Sequence, residues 1–216
     1  LKLALRLCTR LVLLLPGQGK VAQAHSGLAQ LRAEHPEAEG WAVHTVQAWL
    51  DVRTLRDPGQ AIAAARALLP DPETNPGRRA LALLEELSGH YAEAAELYLS
   101  LGQDGSAALT RIRLGDQLAA AGQAKQAATQ YELAEQTWQD TPCGLALVGY
   151  RQAELAWLVG EKSAAVTRLE EALAIVGSAG EGALAIAEEF CFEQMLGNRA
   201  AIDGDERPGA ARARLV

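Results

Sequence analysis

Apolar residues recur along most of the chain at the spacing of amphipathic helices. After Ala94, for example, the next apolar positions on the same face are Tyr98 and Leu101. Residues four and seven positions apart lie on one side of a helix, so each such stretch predicts a helix with one buried face. Alanine and leucine, both strong helix formers, supply most of the apolar residues, whereas strand-favouring residues are sparse. The pattern therefore predicts an all-α fold.

The helical pattern occurs in five copies, which span residues 4–36, 41–73, 77–103, 106–139 and 146–179 approximately. Each copy is centred on an alanine, and the intervals between these alanines are 37, 33, 33 and 38 residues: Ala24, Ala61, Ala94, Ala127 and Ala165. We expect the two longer intervals to carry their extra residues in loops between copies. These loops are predicted near Glu37–Gly40 and near Thr141–Leu145.

A glycine precedes the alanine by five residues in four of the copies, at Gly19, Gly89, Gly122 and Gly160. In the second copy Arg56 stands at this position. A glycine there predicts a tight turn between two helices, because the turn needs a left-handed residue. The alanine is expected where the two helices of the hairpin cross, since only a small side chain allows that approach. Pro36 and Pro72 are expected to close the second helix.

This pattern resembles the tetratricopeptide repeat family, as a degenerate bacterial-type array, over roughly residues 1–180. The family has a period of 34 residues, with one helix–turn–helix per unit, and its paired Leu-Gly appears here as Leu114-Gly115. The usual first-helix tryptophan is missing at the matching sites, which are Cys8, Thr45, Arg78, Arg111 and Gly149. The resemblance implies a right-handed α-solenoid of about five helical hairpins within residues 1–197.

Beyond the fifth copy, residues 181–196 are predicted to form a helix with an apolar stripe that includes Leu184, Ala187 and Cys191. An open solenoid needs its last apolar face covered, so this helix is expected to be a cap. Residues 198–216 are polar and rich in Gly, Pro and Arg, which predicts a flexible tail. The chain begins with Leu1 rather than methionine, and we expect it to be part of a longer protein.

Charge and cysteine content narrow the class of partner. The net charge is −7 and the basic residues form no extended stripe, so nucleic-acid binding by this segment is not expected. The apolar run at residues 11–15 is too short for a signal peptide or a membrane span, and we expect no membrane association. The three cysteines show neither metal-ligand spacing nor a disulfide framework, which favours a cytoplasmic protein.

The sequence predicts no catalytic, metal or cofactor site. Its four histidines are scattered, and neither a metalloprotease nor a hydrolase motif occurs. Gly17-Gln18-Gly19-Lys20 lacks the first glycine and the final Ser or Thr of a phosphate-binding loop. Adjacent carboxylates, as in Glu85-Glu86 and Glu170-Glu171, point about 100° apart on a helix and are expected to be solvated.

The resemblance implies that the first helix of each hairpin lines a concave groove where a peptide or protein partner binds. The positions that match the family's groove-facing sites are Val46, Leu50, Arg53, Arg79, Leu83, Glu86, Ile112, Arg113, Asp116, Tyr150, Arg151, Glu154 and Trp157. Some family members clamp a peptide carboxylate with lysines and asparagines. No lysine or asparagine stands at the matching positions here, so such a clamp is not expected.

Two interpretations of the charged groove positions remain open. Arg79, Arg113 and Arg151 could form a ladder that pairs with an acidic peptide, with Tyr150 and Trp157 as anchors. Alternatively the charges pair internally at i,i+3 spacing, Arg113 with Asp116 and Arg151 with Glu154.

Three hypotheses for function follow. The first is a non-catalytic scaffold that binds a protein or peptide in its groove, with self-association through terminal helices as a further possibility. The second is a regulatory segment of a larger bacterial signalling protein, because long Ala/Leu/Arg-rich arrays without the first-helix tryptophan are similar to those attached to transcription activators. The third, more remote, is an enzyme with a shallow site.

Overall fold

The structure is a computed structural model that describes residues 18–35, 40–53, 56–71 and 73–178. These ranges contain nine α-helices and no strand, which confirms the all-α prediction for this part of the chain. The first helix of the first predicted hairpin, the predicted cap at 181–196 and the predicted tail lie outside the described residues. So do Pro36 and Pro72.

The chain divides into two compact units, residues 1–103 and 104–216. The first unit contains α1 (Gln18–Glu34), α2 (Trp41–Arg53), α3 (Gly59–Ala67), α4 (Asn75–Leu87) and α5 (Tyr91–Ser100). The second contains α6 (Asp104–Ala120), α7 (Ala124–Thr137), α8 (Pro142–Leu158) and α9 (Lys162–Ser178). The predicted second to fifth hairpins correspond to α2–α3, α4–α5, α6–α7 and α8–α9.

In the first unit each helix packs on its neighbour in sequence, and α2 also contacts α4. The core between α1 and α2 consists of Ala24, Leu28, Val43, Val46 and Leu50. Thr74 is the N-cap of helix α4, because its hydroxyl accepts a hydrogen bond from the backbone N–H of Gly77 at 3.2 Å. Such a cap satisfies a backbone donor that the helix itself leaves unpaired.

The second unit repeats this arrangement: α6 packs on α7, α7 on α8 and α8 on α9, and α6 also contacts α8. One core of the unit includes Ile112, Tyr131 and Val148. A second cluster lies between α8 and α9 and contains Tyr150, Ala153, Leu169 and Ala172.

The predicted turn glycines are confirmed at three positions. Gly89, Gly122 and Gly160 have positive φ angles of 79°, 76° and 88°, and each lies in the turn of a hairpin. At Gly122 the following N–H, that of Gln123, donates to the carbonyl of Leu118 at 2.8 Å, which closes the end of α6. This bond belongs to the Schellman motif, in which a left-handed residue lets the chain leave the helix while an orphan carbonyl is satisfied.

The repeat alanines are also confirmed as buried contact points. Ala24, Ala61, Ala94, Ala127 and Ala165 are all at most 8% exposed. The residues four positions later are buried as well, and they include Tyr98 and Tyr131. The sequence pattern thus identified the packed face of each second helix.

Several local predictions were wrong. Gly19 lies inside α1, which already begins at Gln18, rather than in a turn. The stretch Thr141–Leu145 is not a loop: Thr141 is the N-cap of α8 and Pro142 is its first residue. Proline is favoured at the first helical position because its missing N–H and fixed φ cost nothing there. Helix α8 has 17 residues, as many as α6, whereas α7 has 14 residues and α5 has 10. The extra residues before the fifth copy therefore mostly lengthen α7, the second helix of the fourth copy.

Three of the predicted groove residues belong to the cores instead. Val46, Leu50 and Ile112 are 8%, 1% and 2% exposed. They point inward because each lies on the face of its helix that packs against a neighbouring helix. The groove prediction had assigned them to the opposite face.

Candidate functional site

The second unit contains a cavity of about 560 Å³ between its four described helices. This volume lies within the range of small-ligand and side-chain pockets. Its lining residues are Asp116, Ala119 and Ala120 of α6, Tyr131 of α7, Tyr150, Arg151, Ala153, Glu154, Leu155, Trp157 and Leu158 of α8, and Ala165 and Leu169 of α9. All four helices therefore contribute to one site.

Small side chains make the space. Ala119 and Ala120 end α6, while Ala153 and Ala165 face each other's helices across the α8–α9 hairpin. An alanine fills little of the volume between two helices, so a larger residue at these positions would close the cavity.

The mouth of the cavity is apolar and exposed. Trp157 and Leu158 line the cavity and are 43% and 72% exposed, and Val159 beside them is 50% exposed. These three residues are consecutive at the end of α8 and in the turn that follows. Exposed apolar residues that lie next to one another beside a cavity are candidates for contact with a partner.

A continuous chain of polar contacts runs along one wall of the cavity. The Tyr131 hydroxyl donates to Asp116 Oδ1 at 2.8 Å, and Asp116 Oδ2 lies 3.5 Å from Arg151 Nε. Arg151 Nη1 donates to Glu154 Oε2 at 2.6 Å, and the Tyr150 hydroxyl donates to Glu154 Oε1 at 2.7 Å. The guanidinium also lies over the Tyr150 ring, 5.5 Å from its centre. Two carboxylates thus share one arginine.

Burial governs the acid–base properties of this wall. It raises the pKa of Asp116 above its ordinary value, although the charge of Arg151 and the hydrogen bond from Tyr131 act in the opposite direction. Burial, together with the neighbouring Asp116 carboxylate, also raises the pKa of Tyr131. The phenol therefore stays protonated and acts as a hydrogen-bond donor at every physiological pH.

The position of Tyr131 depends on a glycine of the facing helix. A Cβ atom at Gly115 would lie 2.4 Å from Cε1 of the Tyr131 ring, far inside van der Waals contact. Gly115 is the glycine of the Leu114-Gly115 pair noted in the sequence. The absence of a side chain there lets the ring lie against α6 and lets its hydroxyl reach Asp116 one residue further along.

Five of the predicted site residues come together at this cavity: Asp116, Tyr150, Arg151, Glu154 and Trp157. Arg113 is half-buried one turn before Asp116 and does not line the cavity, but its charge lowers the pKa of Asp116. Tyr150 is only 1% exposed, so its ring forms part of the wall rather than a free anchor.

The remaining predicted site residues belong to the first unit. Arg79 is exposed on α4. Its Nη2 and Nε donate to the side-chain amide oxygen of Gln103 at 2.6 and 2.7 Å. Glu86 accepts a hydrogen bond from the Tyr98 hydroxyl at 2.9 Å. Arg53 is the last residue of α2, and its side chain lies outside the described part of the chain.

Of the two internal ion pairs considered, one is confirmed. Arg151 pairs with Glu154 at i,i+3. Asp116 contacts Arg151 of α8 and Tyr131 of α7, and the charge of Arg113 also lowers the pKa of Asp116. The contacts with α7 and α8 run between helices, which the i,i+3 spacing does not predict.

The adjacent glutamates do not all behave as predicted. Glu170 and Glu171 are exposed, as expected. Glu85, however, is only 13% exposed in its side chain and binds Arg66 Nη1 at 2.8 Å and His90 Nδ1 at 2.7 Å. The prediction of a solvated pair was wrong for Glu85 because α3 and the turn after α4 bring two basic groups to it.

Sequence reasoning missed several residues of the cavity, notably Tyr131, Ala119, Ala120 and Leu158. Tyrosines stand at the same place in the third and fourth copies, four residues after the repeat alanine: Tyr98 and Tyr131. A buried tyrosine hydroxyl needs a hydrogen-bond partner, so these two residues were the available signal.

Among the described side chains, no group of three or more His, Cys, Asp or Glu residues is arranged to hold a metal ion. Of the described helices, none has both the length and the apolar character needed to cross a membrane. Comparison with protein-family models, with curated proteins and with solved structures finds no match for this chain.

Proposed function

We propose that this chain is a non-catalytic protein-interaction module of tetratricopeptide type, in which successive helical hairpins stack as a right-handed solenoid. The observation that carries the proposal is the cavity of the second unit with its exposed apolar mouth. On this proposal a polypeptide partner places apolar side chains against Trp157 and Leu158 and inserts into the cavity behind them.

Three features support a binding role over a catalytic one. The tyrosines and the arginine of the wall are bound to carboxylates at 2.6–3.5 Å, so they stabilise the wall. The mouth residues are apolar and lie at the end of a helix, where a partner can reach them. Aromatic residues and small pockets also commonly supply much of the binding energy at protein interfaces.

A cytoplasmic location is also part of the proposal, because the three cysteines show neither metal-ligand spacing nor a disulfide framework.

Selection of random peptides displayed on phage against the full chain tests the proposal. We expect selected peptides to bind the isolated protein, and we expect Leu158→Gln to weaken them by about tenfold or more, because an apolar contact is lost at the mouth. Titration calorimetry measures the affinity. Leu68→Gln is the matched control, since Leu68 is also an exposed leucine (49%) but lies on the first unit, away from the cavity lining.

Circular dichroism of both variants checks that the fold is unchanged. The proposal fails if no peptide can be selected, or if the two leucine variants lose affinity equally.

A further inference from the structure

The charges at the cavity wall differ from those of the arginine ladder considered from the sequence. Among the described residues that line the cavity, Arg151 is the only basic one, whereas Asp116 and Glu154 are both acidic. The tyrosine hydroxyls donate to these carboxylates, so they do not remove the negative charge. One guanidinium against two ionised carboxylates leaves the wall with an excess of one negative charge.

The carboxylates are accessible to an occupant. The side chains of Asp116 and Glu154 are 37% and 35% exposed, and that of Arg151 is 25% exposed. A carboxylate offers about four acceptor positions on its two oxygens. Each oxygen here has one described contact within the wall, which leaves room for a further donor.

The aromatic rings at the site already lie against cations of the chain itself. Arg151 lies over the Tyr150 ring, and Lys162 Nζ lies 5.4 Å from the centre of the Trp157 ring. An aromatic face attracts a cation through its quadrupole. Lys162 and Arg113 are not among the residues that line the cavity, so neither supplies a second cation inside it.

From these observations we infer that the cavity binds a lysine or arginine side chain of a partner polypeptide, flanked by apolar residues that cover Trp157 and Leu158. The aliphatic stem of such a side chain fits the alanine- and leucine-lined walls, and its charged end reaches the two carboxylates. This inference rests on the proposed function and replaces the acidic partner that the arginine positions had suggested. Burial raises the pKa of Asp116, so binding should weaken as the pH falls, at a higher pH than it would with an aspartate of ordinary pKa.

Three short fluorescent peptides of equal length test the inference: leucine alternating with lysine, with glutamine or with glutamate. Fluorescence anisotropy with the full chain at about 0.15 M ionic strength measures their affinities. We expect the lysine peptide to bind about tenfold more tightly than the glutamine peptide, and the glutamate peptide to bind most weakly.

Substitution separates the cavity from the general charge of the chain, whose net value is −7. Glu154→Gln and Asp116→Asn should each weaken the lysine peptide several-fold. Both keep the shape of the side chain and an oxygen that can accept from the tyrosine. Glu171→Gln removes the same charge from an exposed position of α9 outside the lining and should leave the affinity unchanged.

The outcomes distinguish this inference from the proposed function. If all three peptides bind equally and Leu158→Gln weakens them, the interaction module stands and the preference for a cationic side chain is overturned. Equal losses in Glu154→Gln and Glu171→Gln also overturn it, as does free spermine binding as tightly as the lysine peptide. If none of the three peptides binds, the preference for a cationic side chain is overturned, whereas the interaction module fails only if no phage-displayed peptide can be selected either.

Discussion

At the scale of single residues, the contact between Gly115 and Tyr131 determines the geometry of the cavity wall. The ring occupies the place where a side chain at residue 115 would be. The Tyr131 hydroxyl in turn donates to the Asp116 carboxylate. Because Gly115 has no side chain, the ring can lie close enough to α6 for this hydrogen bond to position Asp116, the next residue of the same helix.

Gly115→Ala is therefore expected to destabilise the protein by about 1–3 kcal/mol, the usual cost of overpacking a core. Chemical denaturation measures the change. Gly149→Ala is a matched control, because a Cβ there would meet the Ala172 Cβ at 3.5 Å, an ordinary contact. In mid-helix that alanine should stabilise the protein by up to about 1 kcal/mol. A loss of stability of the same size in both variants would contradict this account.

At the scale of helices, the repeat signals were predictable wherever the chain geometry leaves few choices. A turn with a left-handed residue favours glycine, so Gly89, Gly122 and Gly160 were identified correctly. The point where two helices cross favours a small residue, so the five repeat alanines were also identified correctly as buried. The start of α8 was not predicted, although Thr141-Pro142 is a good start signal. The longer interval before the fifth copy suggested a loop there, whereas most of the extra residues lie in α7, whose length the repeat positions do not fix.

Glu85 joins three elements, since it binds Arg66 of α3 and His90 of the α4–α5 turn from its place in α4. The hydrogen bond from Arg66 and, to a smaller extent, the hydrogen bond with His90 hold the pKa of Glu85 below its ordinary value. A lowered carboxyl pKa stabilises the folded state above the unfolded value of about 4.3, and this contribution is lost as the pH falls through the folded pKa.

We therefore expect Glu85→Gln to lower the free energy of unfolding near neutral pH by up to about 1 kcal/mol, as is usual for partly exposed pairs. The difference from the unsubstituted protein should shrink as the pH falls below about 4.3. Urea denaturation across this pH range measures it. Glu96→Gln, at an exposed position of α5, should show no such dependence. A difference for Glu85→Gln that persists in acid would refute the assignment.

At the scale of the whole molecule, the all-α class could be predicted, whereas the site could be predicted only in part. The sequence placed Asp116, Arg151 and Glu154 among the binding residues because they project from first helices. It did not find Tyr131 or Leu158, since the cavity is formed jointly by both helices of two hairpins. Contacts between helices depend on side-chain volumes and crossing geometry, which a repeat pattern does not specify.

The charge of the whole chain leads to a simple expectation about nucleic acids. With a net charge of −7, the protein should repel a phosphate backbone rather than bind it. We expect no change in the anisotropy of a fluorescent DNA duplex on addition of the full chain at about 0.15 M salt. The positive control is the leucine–lysine peptide, which should bind the duplex under the same conditions. Saturable binding by the protein would contradict the expectation.

The packing of each helix mainly on its neighbours in sequence has a consequence for how the protein forms. Contacts between residues close in sequence need only short loops to close, and the entropy lost in closing them is small. Chains dominated by such contacts fold in microseconds to milliseconds. A hairpin such as α6–α7 or α8–α9 can therefore assemble soon after its second helix has left the ribosome, before the rest of the chain has been made.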